Sequence, residues 1–547
     1  MSLPELSPQM PLFSFEQFLA DQLPEDDPYR LFGERIYPLL VVARPQLAEA
    51  YCHDNGRPGL EPVLLMGVSI LQYMYRLSDR AAAETLKYHT GWKVALHREV
   101  DLESFDPSTL TYFRQRLIAH EQAKLAFDAV LDGLREAGLI SKKARRRLDS
   151  THMLGLVARL SALELLRETT RLALKELAGV EGLEHPPFWA GLWERYVENK
   201  LDYRLEEPAM KDKQLQAGQD MSLLLAWAGA QKPPLSGGKQ VQLLQRVWEE
   251  NFEVVEGKLQ LHAREGGAVQ NPHDPEATWS TKGSDKKKEW VGYKVQVSET
   301  VPEAPAQGGE PTKAFITAIE TQTAMGSEQA GMVQVEQAEK ASGLEAPPEL
   351  FVDAGYVSAQ TLKDAADEGR ELLGPALESP TNGKAFKSDA FDVHVENRKA
   401  TCPGGRCSSN CSRLEAKATG TVSYRFEWGR QCQECPLKGQ CLGKDQAHRT
   451  LVVGEHHSYL QERRREQKTK PFQAQMHQRN AIEGTHSELV RAHGLRRARY
   501  RGLPKVRLQN YFIGAAANAK RWIARLGYDI RQGLAQAAAC VAAAAMS

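Results

Sequence analysis

Apolar spacing along this chain changes period several times, and the changes divide it. From Leu31 to about Gly138 apolar residues recur at helical spacing. Pro62 opens an apolar helix through Leu64, Leu65, Val68, Leu71 and Tyr75, and Ser78 caps a second through Ala81 and Leu86, which Gly91 ends. Asp106-Pro107-Ser108 starts a third, burying Leu110, Phe113 and Leu117 and turning Tyr112, Gln115 and Arg116 outward. Leu148-Asp149 reads as the end of a first strand. Helical spacing then returns over Leu160–Leu166, Leu172–Leu174, Trp189–Tyr196, Leu223–Trp227 and Val241–Trp248. Alternation over Trp290–Val297 predicts a strand, with Ala314–Ile319 as its antiparallel partner across a loop rich in Pro and Gly. Leu350–Asp353 predicts a buried strand, 359–369 a helix and 372–375 one more strand.

The predicted organisation follows. Residues 1–28 read as loose and 29–140 as an all-α domain, suited equally to a helix-turn-helix DNA reader or a plain bundle. An α/β core is split into 141–157 and 253–395 by a helical insertion at 158–252. A cysteine-rich insertion occupies 396–450, a helix with Glu483 and a basic stretch fill 451–526, and 527–547 is an Ala-rich tail. At 547 residues the chain exceeds what one core holds. Acids and prolines in Met1–Asp26 do not make a secretory start. The most apolar stretch, Pro62–Tyr75, is shorter than the ~20 residues that span a bilayer. A soluble, cytoplasmic protein with no membrane partner is expected.

Net charge is zero, but ten Lys/Arg against two acids lie between Arg479 and Arg521. That density makes a phosphate-binding face, with Arg479, Arg491, Arg496, Arg497, Arg499, Arg501, Lys505 and Arg507 as candidate DNA contacts. Six of the eight cysteines fall between Cys402 and Cys441. A reducing compartment disfavours disulfides, so a structural Zn²⁺ site is the better reading. Cys432-Gln433-Glu434-Cys435 is a two-residue knuckle, Cys441 follows, and Cys402 is the natural fourth ligand, with Cys407 or Cys411 as replacements.

Three acids complete the candidate chemistry. Asp149 and Asp353 end apolar runs, and Glu483 lies four residues after Arg479, on one helix face. Glu488 competes with Glu483, but the two point about 140° apart, so only one can face the aspartates. Gly484, which costs a helix interior about 1 kcal/mol, favours Glu483 by suggesting close approach of another backbone or of DNA. Two strand-end aspartates and a helical glutamate suit a pair of Mg²⁺ ions about 3.5–4 Å apart.

The order Leu148-Asp149-Ser150-Thr151, Asn271-Pro272-His273-Asp274-Pro275, Trp290–Val295, Val352-Asp353-Ala354-Gly355-Tyr356, Arg479-x-x-x-Glu483-Gly484-Thr485 and His493–Gly502 resembles bacterial insertion-sequence transposases of the DDE type, most closely the eleven-eighty-two group. The likeness runs from about Leu31 to Arg521. It implies an RNase H-like core, a mixed sheet flanked by helices, with Asp149, Asp353 and Glu483 holding two Mg²⁺ or Mn²⁺ ions per active site. It also implies cleavage at the ends of an element and joining of the 3′-OH ends to target DNA. Double-stranded DNA (terminal inverted repeats and target) and a second protomer, as a homodimer, are the implied partners, in a nucleoid-associated cytoplasmic setting. The pattern departs from the family at Met476 and Val490, where relatives carry Tyr and Lys; Arg491 could supply the missing charge. A nuclease without strand transfer, or an inactive DNA-binding descendant, would share these residues.

Overall fold

A mixed sheet organises the chain in a computed structural model that describes residues 2–3, 15–52, 59–99, 104–199, 206–282, 288–302, 313–379, 386–417, 420–443 and 446–546. Of the segment expected to be loose, residues 4–14 lie outside these, and Phe15–Gln22 forms a helix. The main N-terminal helices are α1 (Pro62–Met74), α2 (Asp79–Tyr88), α3 (Ser108–Ala119) and α4 (Leu125–Glu136). Ser78 Oγ accepts from Ala81 N at 3.2 Å and so caps α2, while Asp106 Oδ1 accepts from Ser108 N at 2.8 Å before α3. Every residue of α1 is buried, as its nearly uninterrupted apolar sequence requires.

Strand β1 (Arg146–Leu154) follows, and then the insertion, with α5 (Ala162–Ala178), α6 (Glu207–Ala230), α7 (Lys239–Asn251) and the hairpin β2 (Phe252–Val255) and β3 (Lys258–Leu261). Leu165, Leu174, Met221, Leu224 and Leu244 give the insertion a core of its own. The sheet resumes with β4 (Thr278–Lys282), β5 (Lys288–Thr300) and β6 (Ile316–Thr323), then α8 (Glu328–Ala341), β7 (Glu349–Phe351), α9 (Ala359–Asp367) and β8 (Glu371–Leu373). β5 pairs antiparallel with β1, and also with both β4 and β6. β7 runs parallel to β1, and β8 parallel to β7.

The period of two sorts the two faces. Met153, Tyr293, Val295 and Val297 share one core with Phe127, Leu131, Ile513 and Ala516. Leu148, Leu350 and Val352 pack with Met332, Val335 and Leu362 of α8 and α9. After β8 come the pair β9 (Asp392–His394) and β10 (Lys399–Thr401), and the three-stranded β11 (Asn410–Glu415), β12 (Val422–Glu427) and β13 (Thr450–Gly454). Four helices close the chain: α10 (His457–Glu466), α11 (Lys470–Asn480), α12 (Ile482–Ala492) and α13 (Leu503–Met546). The Ala-rich tail continues α13 without a break. No helix among the described residues is long and apolar enough to cross a membrane.

A buried ionic network ties α12 to the sheet. Arg147 Nε donates to Glu299 Oε1 at 2.7 Å, and Glu299 is fully buried. Glu299 Oε2 accepts from Thr485 Oγ1 at 2.6 Å and from Arg521 Nη1 at 3.2 Å. Arg521 Nη2 reaches Glu488 Oε2 at 2.8 Å. Burial works to raise the Glu488 carboxyl, but His493 and the Arg521 guanidinium outweigh it and hold it at about 2, against 4.5 for an unperturbed glutamate. A carboxyl held low in the fold adds stability above its unfolded value and loses it as pH falls through its folded value. Glu488→Gln is therefore expected to lower Tm by a few degrees at neutral pH. It should also flatten the loss of stability between about pH 4.5 and 2, followed by thermal melts across that range. A variant whose melting profile overlays the parent throughout would show that this ion pair adds no stability.

Candidate active site

The register of β1 places the first two acids. Arg147 and Phe351 form the last parallel pair between β1 and β7. Two residues further along each strand stand Asp149 and Asp353, where β7 has ended and the two chains part. Asp149 is thus mid-strand, still paired with Val297 of β5, and not at a strand end as the sequence suggested. Asp353 follows β7 and accepts from Gly355 N at 2.7 Å, which folds the turn after it.

Glu483 comes from the other side. The helix expected to carry both Arg479 and Glu483 is interrupted at Ala481, so the two residues lie on α11 and α12 on either side of the break. Arg147 Nη1 donates to Gln478 O at 2.9 Å and fixes the end of α11 over β1. Gly494, at φ +79°, closes α12, with Leu495 N bonded to Leu489 O at 3.0 Å. Glu488 is turned into the buried network, so Glu483 is the one facing the aspartates. A Cβ on Gly484 would meet no atom within 4 Å, so no protein backbone crowds it.

Asp149, Asp353 and Glu483 line one cleft of roughly 740 Å³. Arg479 Nη2 stands 2.9 Å from Asp149 Oδ2 and 3.8 Å from Asp353 Oδ2. Asp149 is pushed up to about 6, chiefly by burial, with Arg479 opposing and Asp353 and Glu328 adding repulsion. Among the described residues no three His, Cys, Asp or Glu side chains stand as a formed metal-ligand set. The donors nevertheless suit a divalent ion, because hard carboxylate oxygens that repel one another have already drawn a guanidinium between them.

The basic residues separate into two groups. Arg491 and Arg496 line the cleft, Arg496 donating to His152 O at 2.6 Å, and Arg491, Arg497, Arg501 and Lys505 are exposed. Arg499 instead lies over the Tyr73 ring and donates to Leu77 O at 2.7 Å, and Arg507 donates to Thr321 O at 3.4 Å. The local charge counted in the sequence is therefore partly spent on packing. Sequence reasoning did not single out Glu328, Lys294, His152 or Trp290, all in the cleft. Lys294 and Trp290 sit in a motif already noted, whereas Glu328 has no local signal beyond its place at the start of α8.

A second candidate site lies among the cysteines between Cys402 and Cys441. Cys402, Cys432, Cys435 and Cys441 line one cavity of about 20 Å³, the size of a single small sphere. Burial and the other three thiols raise the Cys441 thiol, against the pull of Arg449. Cys407 lies beside Thr401, and Cys411 sits on β11 opposite Phe426; neither lines the cavity.

With this geometry in place, two family models match the chain. Residues 401–523 match "Transposase DDE domain", a span that holds the cysteine cavity and Glu483 but neither aspartate. Residues 17–116 match "Transposase domain (DUF772)". No curated protein matches. Both families are transposase domains, and together they support an insertion-sequence transposase of the DDE type, which implies a DNA-cleaving enzyme in general.

Proposed function

We propose that this chain cuts DNA at the ends of an insertion sequence and joins the freed 3′-OH ends to target DNA, using Asp149, Asp353 and Glu483. The observation that carries the reading is the convergence of these three acids, from β1, the turn after β7 and α12, on one cleft around Arg479. The strand order, β5-β1-β7-β8 with β6 beside β5, supports an RNase H-like core. Mg²⁺ or Mn²⁺, when bound, supplies Lewis acidity for both attack on a phosphodiester and departure of its 3′ oxygen. The three carboxylates would hold those ions. Arg479, released from Asp149, has a planar fork that fits two phosphate oxygens and would fix the scissile bond over the acids. Arg496 and the exposed Arg491, Arg497, Arg501 and Lys505 would carry the flanking backbone, which positions a duplex without reading its sequence. Terminal inverted repeats and target DNA are the proposed substrates, and a homodimer the proposed DNA-bound form.

In the second site the four thiols that share one cavity support a structural Zn²⁺ held by Cys402, Cys432, Cys435 and Cys441. Phe426 and Trp428 pack here with Phe391, Val393 and Leu451, and Cys402, Cys432 and Cys441 lie against that cluster, so a metal would tie their loops to it.

Asp149→Asn, Asp353→Asn or Glu483→Gln should each lower cleavage and joining of a duplex carrying the sequence that flanks the gene by at least about 10³-fold. Duplex binding in gel shifts should persist. Full activity in Glu483→Gln, or loss of binding along with cleavage in all three, would overturn the assignment. For the zinc, elemental analysis of purified protein should give about one zinc per chain. Cys432→Ser should lose it, and Cys407→Ser and Cys411→Ser should keep it. A zinc-free parent, or loss on changing Cys407 or Cys411, would contradict this ligand set.

A further inference from the structure

We infer that Lys294 is a DNA-positioning residue, whose ammonium holds a backbone phosphate beside the scissile one. This rests on the cleft being the DNA site proposed above. Lys294 lies on β5, paired across the sheet with His152 of β1. Along β1, Arg147 marks the last pairing with β7, and Leu154 is bridged to Arg497. The edge of β1 between them faces the cleft, and Lys294 lines the same cleft with Asp149 and Asp353.

Two contacts immobilise the ammonium. Lys294 Nζ donates to Gly326 O at 2.8 Å and to Glu328 Oε1 at 2.9 Å. An ammonium has three donors, so one is left for the cleft. Glu328 does not belong to Lys294 alone: its Oε1 also accepts from Ser150 Oγ at 3.1 Å and its Oε2 from Gln296 Nε2 at 2.9 Å. The neutral donors Ser150 and Gln296 help to hold the Glu328 carboxylate in place, and with it the ammonium that it pairs. Most lysines lose side-chain freedom when they bind a phosphate. Lys294, with its side chain only 16% exposed, has lost it already in the free protein. The exposed Arg491 and Arg497 have not. A fixed point charge next to Ser150, one residue from Asp149, sets the register of the strand being cut more sharply than mobile surface arginines can.

The test uses the full-length protein and a labelled mixed-sequence DNA duplex, with binding measured across salt concentrations. Because Lys294→Gln alone leaves Glu328 in the cleft without its cation, the variant is the double Lys294→Gln/Glu328→Gln, which replaces an ion pair by two amides. It should bind the duplex more weakly, with the log–log salt slope reduced by about 0.9, the loss of one phosphate contact. Lys294→Arg, which keeps a cation there, should retain the parent slope. In single-turnover cleavage the double variant should recover much of its rate at saturating protein, so that the defect lies mainly in binding. An unchanged slope in a folded double variant would overturn the inference and reduce Lys294 to the partner of Glu328. A parent protein that shows no salt-dependent binding would instead remove the functional reading on which the inference rests.

Discussion

A fully buried glutamate, Glu299, is the constraint on which the cleft depends. It sits on the long strand β5 and takes hydrogen bonds from Arg147 of β1, Thr485 of α12 and Arg521 of α13. A carboxylate removed from water is tolerated only when its oxygens are paired and bonded. Satisfying Glu299 therefore draws two strands and two helices to one point. The same arginine that pairs with it, Arg147, also holds the end of α11 through Gln478 O. In this way a structural network two residues from Asp149 sets where Arg479 and Glu483 come down over the sheet. Breaking one partner would leave the others charged and buried, which costs far more than an exposed ion pair is worth.

The cleft inverts that logic. Asp149, Asp353, Glu328 and Glu483 line it with Arg479 between the aspartates and Lys294 beside Glu328, and Arg491 and Arg496 line it as well. Asp149 is buried yet only partly compensated, which is why its carboxyl is pushed up to about 6. Groups in this condition gain most from a further cation. Buried charges in the scaffold are paired within the chain, whereas Asp149 in the cleft stays only partly compensated.

Much of this was legible in the sequence, for identifiable reasons. The two apolar periods separated helices from strands, and short local motifs marked Asp149, Asp353 and Glu483 one at a time. Capping by Ser78 depends on a single residue and reads directly. What could not be read was register. The length of the β1–β5 pairing, which runs on to Leu154, and not the local sequence, puts Asp149 in mid-strand, and the break at Ala481 has no Gly or Pro to announce it. Charge counting saw Arg499 and Arg507 as part of a phosphate-binding face, because it cannot know that Tyr73, Leu77 and Thr321 come to meet them. Lys294 and Ser150 are far apart in the chain and are brought together by the antiparallel pairing of β1 and β5, and Glu328 reaches both from the start of α8. The four cysteines were grouped from spacing, and the fold leaves Cys407 and Cys411 outside their cavity.

The central claim is that the three acids form one divalent-cation centre whose place is kept by Arg479. Anomalous diffraction from crystals soaked in Mn²⁺ addresses it most directly. A manganese peak is expected among Asp149, Asp353 and Glu483, with the Arg479 guanidinium moved away from Asp149 Oδ2. Crystals that hold manganese only elsewhere, with Arg479 still against Asp149, would contradict it.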